Sequence, residues 1–276
     1  MTVGVLFAVL GAGMLHALWN AMTKSQRDLV ASFALLNLAS AAVCWAIWPA
    51  VGLPRGAAWP YIAGSTVGHL AYESFLLASY RRSDFSLSYP VARGAAPVFV
   101  SLGGLAFANE HLGLRGAGGV GLVVAGIASL AVARGRRGER RHVVWALATG
   151  AAIAVYTVVD GLGVRASHDA LRYGIALFAI QSTLWTLGAV ARHGVAWWPE
   201  ARVAARGLAS GVLADAGYLV ILWAQQRAPL GEVSAVRETG VLWAAVIGVL
   251  VFGEGRLRRV AVPAAAVVAG VALLSG

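Results

Sequence analysis

The chain is poor in charge and nearly without cysteine. Only 12% of its 276 residues are charged, where a soluble domain carries about 25%. So few charges cannot cover a water-facing surface, and this excludes an ordinary soluble globular domain. Cys44 is the single cysteine, which rules out an internal disulfide and a cysteine metal cluster. The chain has no HExxH or GxSxG pattern, no phosphate-binding loop and no cysteine nucleophile motif. His16, His69 and Glu73 are residue types that can bind metal, but their spacing forms no ligand set. The expectation is therefore a non-enzymatic protein with no cofactor and no metal. No basic segment precedes the first apolar run and no convincing cleavage site follows it, so residues 2–22 are expected to be a retained span, not a signal peptide.

Apolar residue types make up 59% of the chain, and the mean hydropathy is +0.73. The charges gather in short clusters between apolar runs of roughly twenty residues, the length of a helix that crosses about 30 Å of hydrocarbon. The fold expected is an all-α membrane protein with ten spans, at 2–22, 30–51, 58–79, 86–108, 113–133, 143–164, 171–191, 204–225, 232–252 and 258–275. The net charge of +10 falls mostly beside these spans, where bases set orientation. The lipid bilayer is the expected environment and nucleic acid is not an expected partner.

Arg93 and Arg237 lie inside otherwise apolar stretches, and a shift of 144 positions carries one onto the other. The same shift carries Gly104 onto Gly248, Glu110 onto Glu254, Arg115 onto Arg259, and Ala125, Gly126 and Ala128 onto Ala269, Gly270 and Ala272. The chain therefore reads as a duplication: a first five-helix repeat at 1–133, a basic linker at 134–142, and a second five-helix repeat at 143–276. Five spans per copy is an odd number, so the copies run in opposite directions, the inverted-repeat plan of many secondary transporters. Most of the 22 Lys and Arg residues lie in or beside the loops after spans 1, 3, 5, 7 and 9. Only Arg55, Arg115, Arg165, Arg172 and Arg227 fall after the even ones. The positive-inside rule then puts the Arg134–Arg141 loop in the cytoplasm and both termini outside.

Polar residues recur on single faces of the spans. His16 and Asn20 are four apart with Trp19 between them, and Tyr156 and Asp160 repeat that spacing in the second half. His69, Tyr72 and Glu73 share a face of span 3, and Asp215 and Tyr218 stand in its counterpart. Gln181 and Trp185 lie four apart in span 7, Tyr89 lies near Arg93, and Glu238 follows Arg237. An ionised side chain at a span centre costs about 2.5–3.5 kcal/mol. If Arg93, Arg237, Glu73, Asp160, Asp215 and Glu238 all faced lipid, the cost would be about 15–20 kcal/mol, more than the ~5–15 kcal/mol that holds a typical domain folded. These groups are expected to face one another, or water, around a central substrate-binding cavity. Static ion pairs and satisfied core tyrosines are the plainer reading of each residue alone; the recurrence in both halves favours the cavity. Pro90 and Pro97 flank Arg93, and a kink there is expected to serve as a moving gate. Glycines in span 5, together with Pro263 and Gly270 in span 10, mark these as packing helices. Trp45, Trp48, Trp59, Trp197 and Trp198 near span ends read as an interfacial belt, whereas Trp19, Trp185 and Trp243 are candidates for the cavity.

Two five-span copies, each closing with a Glu and then a span rich in small residues, resemble the drug/metabolite transporter superfamily, in particular its EamA-type ten-span members. The residues that carry the resemblance are Phe107-Ala108-Asn109-Glu110-His111-Leu112 before span 5 and Val251-Phe252-Gly253-Glu254-Gly255-Arg256-Leu257 before span 10. His16-Ala17-Leu18-Trp19-Asn20-Ala21 and Tyr89-Pro90-Val91-Ala92-Arg93-Gly94 resemble motifs of one branch. The resemblance implies a carrier of the bacterial inner membrane, exporting amino acids or similar small metabolites. It also implies cytoplasmic termini, against the charge count, which is followed here. The expected partners are a small-molecule substrate and protons as the coupling ion, with the chain a monomer or homodimer. A carrier of phosphorylated or phosphonate anions held jointly by Arg93 and Arg237 is the alternative. A membrane-embedded enzyme or sensor lacks any supporting constellation.

Overall fold

The computed structural model describes residues 1–24, 29–82, 85–111, 113–134, 140–194, 201–250 and 258–275. Among the described residues the chain is helical, without strands. The helices are α1 (Val3–Lys24), α2 (Leu29–Val51), α3 (Trp59–Arg82), α4 (Phe85–Phe107), α5 (Leu114–Arg134), α6 (Arg140–Ser167), α7 (Ala170–His193), α8 (Ala201–Gln225), α9 (Leu230–Arg237), α10 (Gly240–Leu250) and α11 (Arg258–Ser275). A short 3-10 turn, Gly56–Ala58, precedes α3. Val3–Asn20, Val30–Val51, Val144–Ser167, Ala170–Arg192 and Ala204–Gln225 are long and apolar enough to cross a membrane, and Ala92–Phe107, Leu114–Ser129 and Ala264–Leu274 are shorter apolar stretches. The 24 residues of α3 would also reach across, but Ser65, Thr66, His69 and Glu73 dilute its apolar character.

Local chemistry sets several helix ends. Gly52 closes α2 with φ +87°, and Asn109 and His168, just beyond α4 and α6, take φ of 52° and 57°. This left-handed region is open to glycine and tolerated by asparagine and histidine. Asp169 then caps α7, its carboxylate accepting the Arg172 backbone N–H at 3.0 Å. Of the expected basic linker, Arg134 ends α5 and Arg140 already starts α6; residues 135–139 lie outside the described part.

The ninth expected span, 232–252, is not one helix. It breaks at Glu238 and Thr239, between α9 and α10. The break leaves few backbone groups bare: the Thr239 N–H and hydroxyl both donate to the Val236 carbonyl, and the Val241 N–H donates to that of Glu238. Glycine on both sides allows it. A Cβ on Gly240 would lie 2.7 Å from the Gly13 carbonyl oxygen, and one on Gly13 would lie 3.2 Å from that of Arg237. The backbone of α1 therefore rests directly on the break.

The main packing pairs are α5 with α11, α3 with α6, α4 with α6, α2 with α7 and α8, and α1 with α8, α9 and α10. With α9 and α10 taken as one element, these pairings keep their form when the first five elements exchange with the last five. The α3–α6 pair becomes α8–α1, the α4–α6 pair becomes α9/α10–α1, and α2–α7 and α5–α11 become themselves.

The α5–α11 contact shows why small residues crowd these two helices. A Cβ on Gly119 would lie 2.9 Å from the Gly270 carbonyl oxygen, and one on Gly270 would lie 2.7 Å from that of Gly119. Two backbones this close admit no side chain without moving apart. Gly119→Leu and Gly270→Leu are each expected to lower stability by about 1–3 kcal/mol through overpacking. Gly121→Ala, where nothing lies within 4 Å, should leave stability unchanged or slightly raised. Thermal unfolding in detergent checks this; a Gly270→Leu protein that melts with the wild type would remove the close packing from the account.

Candidate functional site

A cavity of about 80 Å³ opens between α1, α2, α3, α6, α7, α8 and the end of α9. One water takes about 10–15 Å³ of such space, so there is room for several waters or the polar head of a small metabolite. Ten of the residues singled out in the sequence line it: His16, Trp19, His69, Tyr72, Glu73, Tyr156, Gln181, Asp215, Tyr218 and Arg237. Phe33, Leu36, Phe178 and Ile221 add apolar wall. Spacing of three or four residues on α1, α3, α7 and α8 brings these side chains to one side of each helix.

Arg237 is the cation of the cavity. It is 7% exposed, and among the described residues it forms no ion pair. Its Nη2 donates to the Tyr156 hydroxyl at 3.5 Å, and its Cζ lies 5.0 Å from the centre of the Tyr218 ring. That is cation–π distance. His69 stacks on Tyr156 with ring centroids 4.0 Å apart, and Tyr72 meets Tyr156 edge-on at 5.4 Å. The result is a guanidinium set in an aromatic wall.

Two carboxyl groups, those of Glu73 and Asp215, share the cavity, and among the described residues each is held by neutral groups. Glu73 accepts from Asn37 Nδ2 at 3.0 Å. Asp215 accepts from the Cys44 thiol at 3.7 Å and from Ser40. Ser40 in turn accepts from Ser182, which accepts from Gln181 Nε2. Neutral donors orient these carboxyl groups without pairing them to a charge, so a cationic group entering the cavity meets oxygens already placed. On α1, Trp19 Nε1 donates to His16 Nδ1 at 3.2 Å, and the two rings meet edge-on.

The other predicted residues lie elsewhere. Arg93 is 2% exposed and pairs through Nε with Glu238, which is fully buried at the helix break. Neither lines the cavity. Asp160 is also fully buried, behind the cavity wall. Its oxygens accept from the hydroxyls of Tyr173 at 2.9 Å and Tyr218 at 2.6 Å, and one lies 3.2 Å from His69 Nε2. Asn20 turns back to donate to the His16 carbonyl, and Trp185 packs on Phe33 at 6.1 Å. Trp243 is 44% exposed and takes no part in the cavity. Pro97 is buried within a helix that runs on unbroken; the side chains of Tyr89 and Pro90 lie outside the described part, as does Glu254. Among the described residues α4 is helical throughout, and the break in the ninth expected span falls at Glu238–Thr239. Among the described residues no three metal-capable side chains converge.

Asn37, Ser40, Cys44 and Tyr173 escaped the sequence reading. Asn37 and Ser40 lie three apart on α2, and that spacing was the available signal. Also unforeseen is a link at the other end of α9. Glu110 accepts from Arg165 Nη2 at 2.6 Å and from the Leu230 backbone N–H at 2.8 Å. Arg165 also donates to the carbonyls of Gln225 and Ala228.

No protein-family model and no curated protein matches the chain. Among solved structures, one described only as "Crystal structure of protein" shares the fold, with a TM-score of 0.78 at 18% identity. The match covers 98% of this chain and 94% of the other, so the likeness extends over the whole bundle. At that identity it speaks for the fold alone.

The Arg93–Glu238 pair gives the next test. Breaking a buried ion pair strands a charge and costs about 3–5 kcal/mol, whereas replacing both partners with apolar groups is often neutral. Glu238→Gln is therefore expected to lower the melting temperature and the yield sharply. The double change Arg93→Met with Glu238→Met should recover most of the loss. Equal stability of the single and double variants would show that the pair does not act as a unit.

Proposed function

We propose that the chain is a ten-span secondary transporter of the drug/metabolite type, built from two inverted five-helix repeats. It carries amino acids, neutral or aromatic, or similar small zwitterions across the bacterial inner membrane. The observation that carries the reading is the composition of the single cavity described. A guanidinium with no ion-pair partner among the described residues, Arg237, shares it with two carboxylates held by neutral groups, Glu73 and Asp215. Aromatic rings fill the wall between them. A cargo carboxylate pairs with Arg237 and the Tyr156 hydroxyl, its ammonium with Glu73 or Asp215, and its side chain with Tyr72, Tyr218 and Phe178.

The exchange of helix pairings between the halves, and the 144-position sequence shift, support the inverted-repeat plan. The broken ninth span supports it too, since transporters of this plan place interrupted helices at a midplane site. Alternating access then needs the cavity to open in turn to each side, with protons as the candidate coupling ion through Glu73 and Asp215. An anion held by Arg93 and Arg237 together draws less support, because Arg93 is engaged with Glu238.

Reconstitution into liposomes tests the proposal. Counterflow with radiolabelled neutral and aromatic amino acids is expected to be saturable for at least one of them. Arg237→Gln should cut kcat/KM at least tenfold, as should Glu73→Gln or Asp215→Asn. Amines that lack the carboxylate should exchange weakly and be indifferent to Arg237→Gln. If no amino acid of the panel exchanges above empty liposomes, the cargo assignment is wrong.

A further inference from the structure

Asp160 has no exposed surface and does not face the cavity, yet Tyr156 and Tyr218, the hydrogen-bond and ring contacts of the Arg237 guanidinium among the described residues, trace back to it. Tyr218, whose ring lies under the guanidinium, donates its hydroxyl to Asp160 Oδ2 at 2.6 Å. Tyr156, whose hydroxyl receives the guanidinium, is stacked on His69, and His69 Nε2 lies 3.2 Å from the same oxygen. Tyr173 occupies the other oxygen, Oδ1, at 2.9 Å. A carboxylate so enclosed is not available to a cargo ammonium. Its bonds instead fix ring orientations, and those rings fix where the guanidinium points.

We propose that Asp160 is a positioning residue: through Tyr218 and through His69 it aims the Arg237 guanidinium into the cavity as the recognition group for a cargo carboxylate. The transport consequence rests on the carrier reading above; the geometry of Arg237 does not. Asp160 therefore sets affinity for the anionic end of the cargo without touching it. Tyr218→Phe keeps the ring and the cation–π contact but removes the bond to Asp160, so it should reproduce the effect of Asp160→Asn.

Two measurements decide the matter. The first needs no cargo. Purified protein is treated with phenylglyoxal, which modifies guanidinium groups, and the rate at Arg237 is read by peptide mass spectrometry. Exposed Arg227 serves as the internal reference. Asp160→Asn and Tyr218→Phe are each expected to change the Arg237 rate at least threefold, in the same direction, with the double variant no further displaced than either. An unchanged rate in folded Asp160→Asn protein overturns the proposal. If that variant does not fold, an unchanged rate in Tyr218→Phe overturns it instead.

The second measurement is counterflow of an exchanged amino acid. Asp160→Asn should raise KM at least fivefold with the maximal rate within twofold, and the rise should vanish in an Arg237→Gln background. A fall in maximal rate at unchanged KM is the signature of a merely structural role and counts against the proposal. Absence of exchange for every amino acid refutes the carrier reading, and the labelling rate then decides this inference by itself.

Discussion

A guanidinium among apolar helices has to be met by something, and how it is met decides what it does. Arg93 and Arg237 stand 144 positions apart in the sequence, on α4 and α9, and their environments differ. Arg93 is matched by a full charge, the Glu238 carboxylate. Arg237 is met by a phenol hydroxyl and a ring face. A neutral hydrogen bond and a cation–π contact return less than a fully paired charge in a dry site. Arg237 is thus the cation with the greater capacity to take up an anion. The bundle settles one arginine and leaves the other available, and the helix break lets neighbouring residues 237 and 238 serve these opposite ends.

Helix content and the positions of the long apolar elements were legible in the sequence, because runs of about twenty apolar residues have few alternatives. The small-residue packing of spans 5 and 10 was legible for the same kind of reason: glycine in such numbers makes sense where backbones meet. The polar cavity wall was legible on α1, α3, α7 and α8, since three- and four-residue spacing fixes a common face. Tertiary partnership was not. Nothing in spacing alone distinguishes Asp160, enclosed by two tyrosines and a histidine, from Asp215, which opens on the cavity. Nor does it distinguish Arg93 from Arg237, because pairing depends on which residue of another helix arrives opposite. The break in the ninth span was also hidden. Glu-Thr-Gly is a weak helix stretch, but its interruption depends on the approach of Gly13 from α1.

The cavity orders its polar groups in two depths. Side chains that line the open space include Arg237, Glu73, Asp215, His16, His69, Ser40 and Gln181, with Tyr72, Tyr156 and Tyr218. Behind them stand Asn37, Cys44 and Asp160, which bond those groups, and Tyr173, which bonds Asp160. Aromatic rings contribute here twice, as apolar wall and as relays of orientation through their hydroxyls. Such layering is how a site keeps ionisable side chains pointed at empty space when their lowest-energy choice in a dry bundle would be to turn on one another.

The short helix α9 gathers these constraints into one mechanical element. Its first backbone N–H is held by Glu110, which Arg165 ties to the end of α8. Its far end is held by the pairing of Glu238 with Arg93 of α4. Between these points it is buried, with Gly231 pressed so closely on Ser101 of α4 that a side chain there would collide. Arg237 is the last residue of this rod. Glu232 in its first turn adds a third charged contact, 3.5 Å from the N-terminal ammonium of Met1. The Glu110 end is partly exposed and the Arg93 end is not. Water can replace a partner at the exposed end and cannot at the buried one. The Arg93–Glu238 attachment, one residue from Arg237 and closed to water, therefore holds the backbone beneath the guanidinium in a drier setting than the Glu110–Arg165 end.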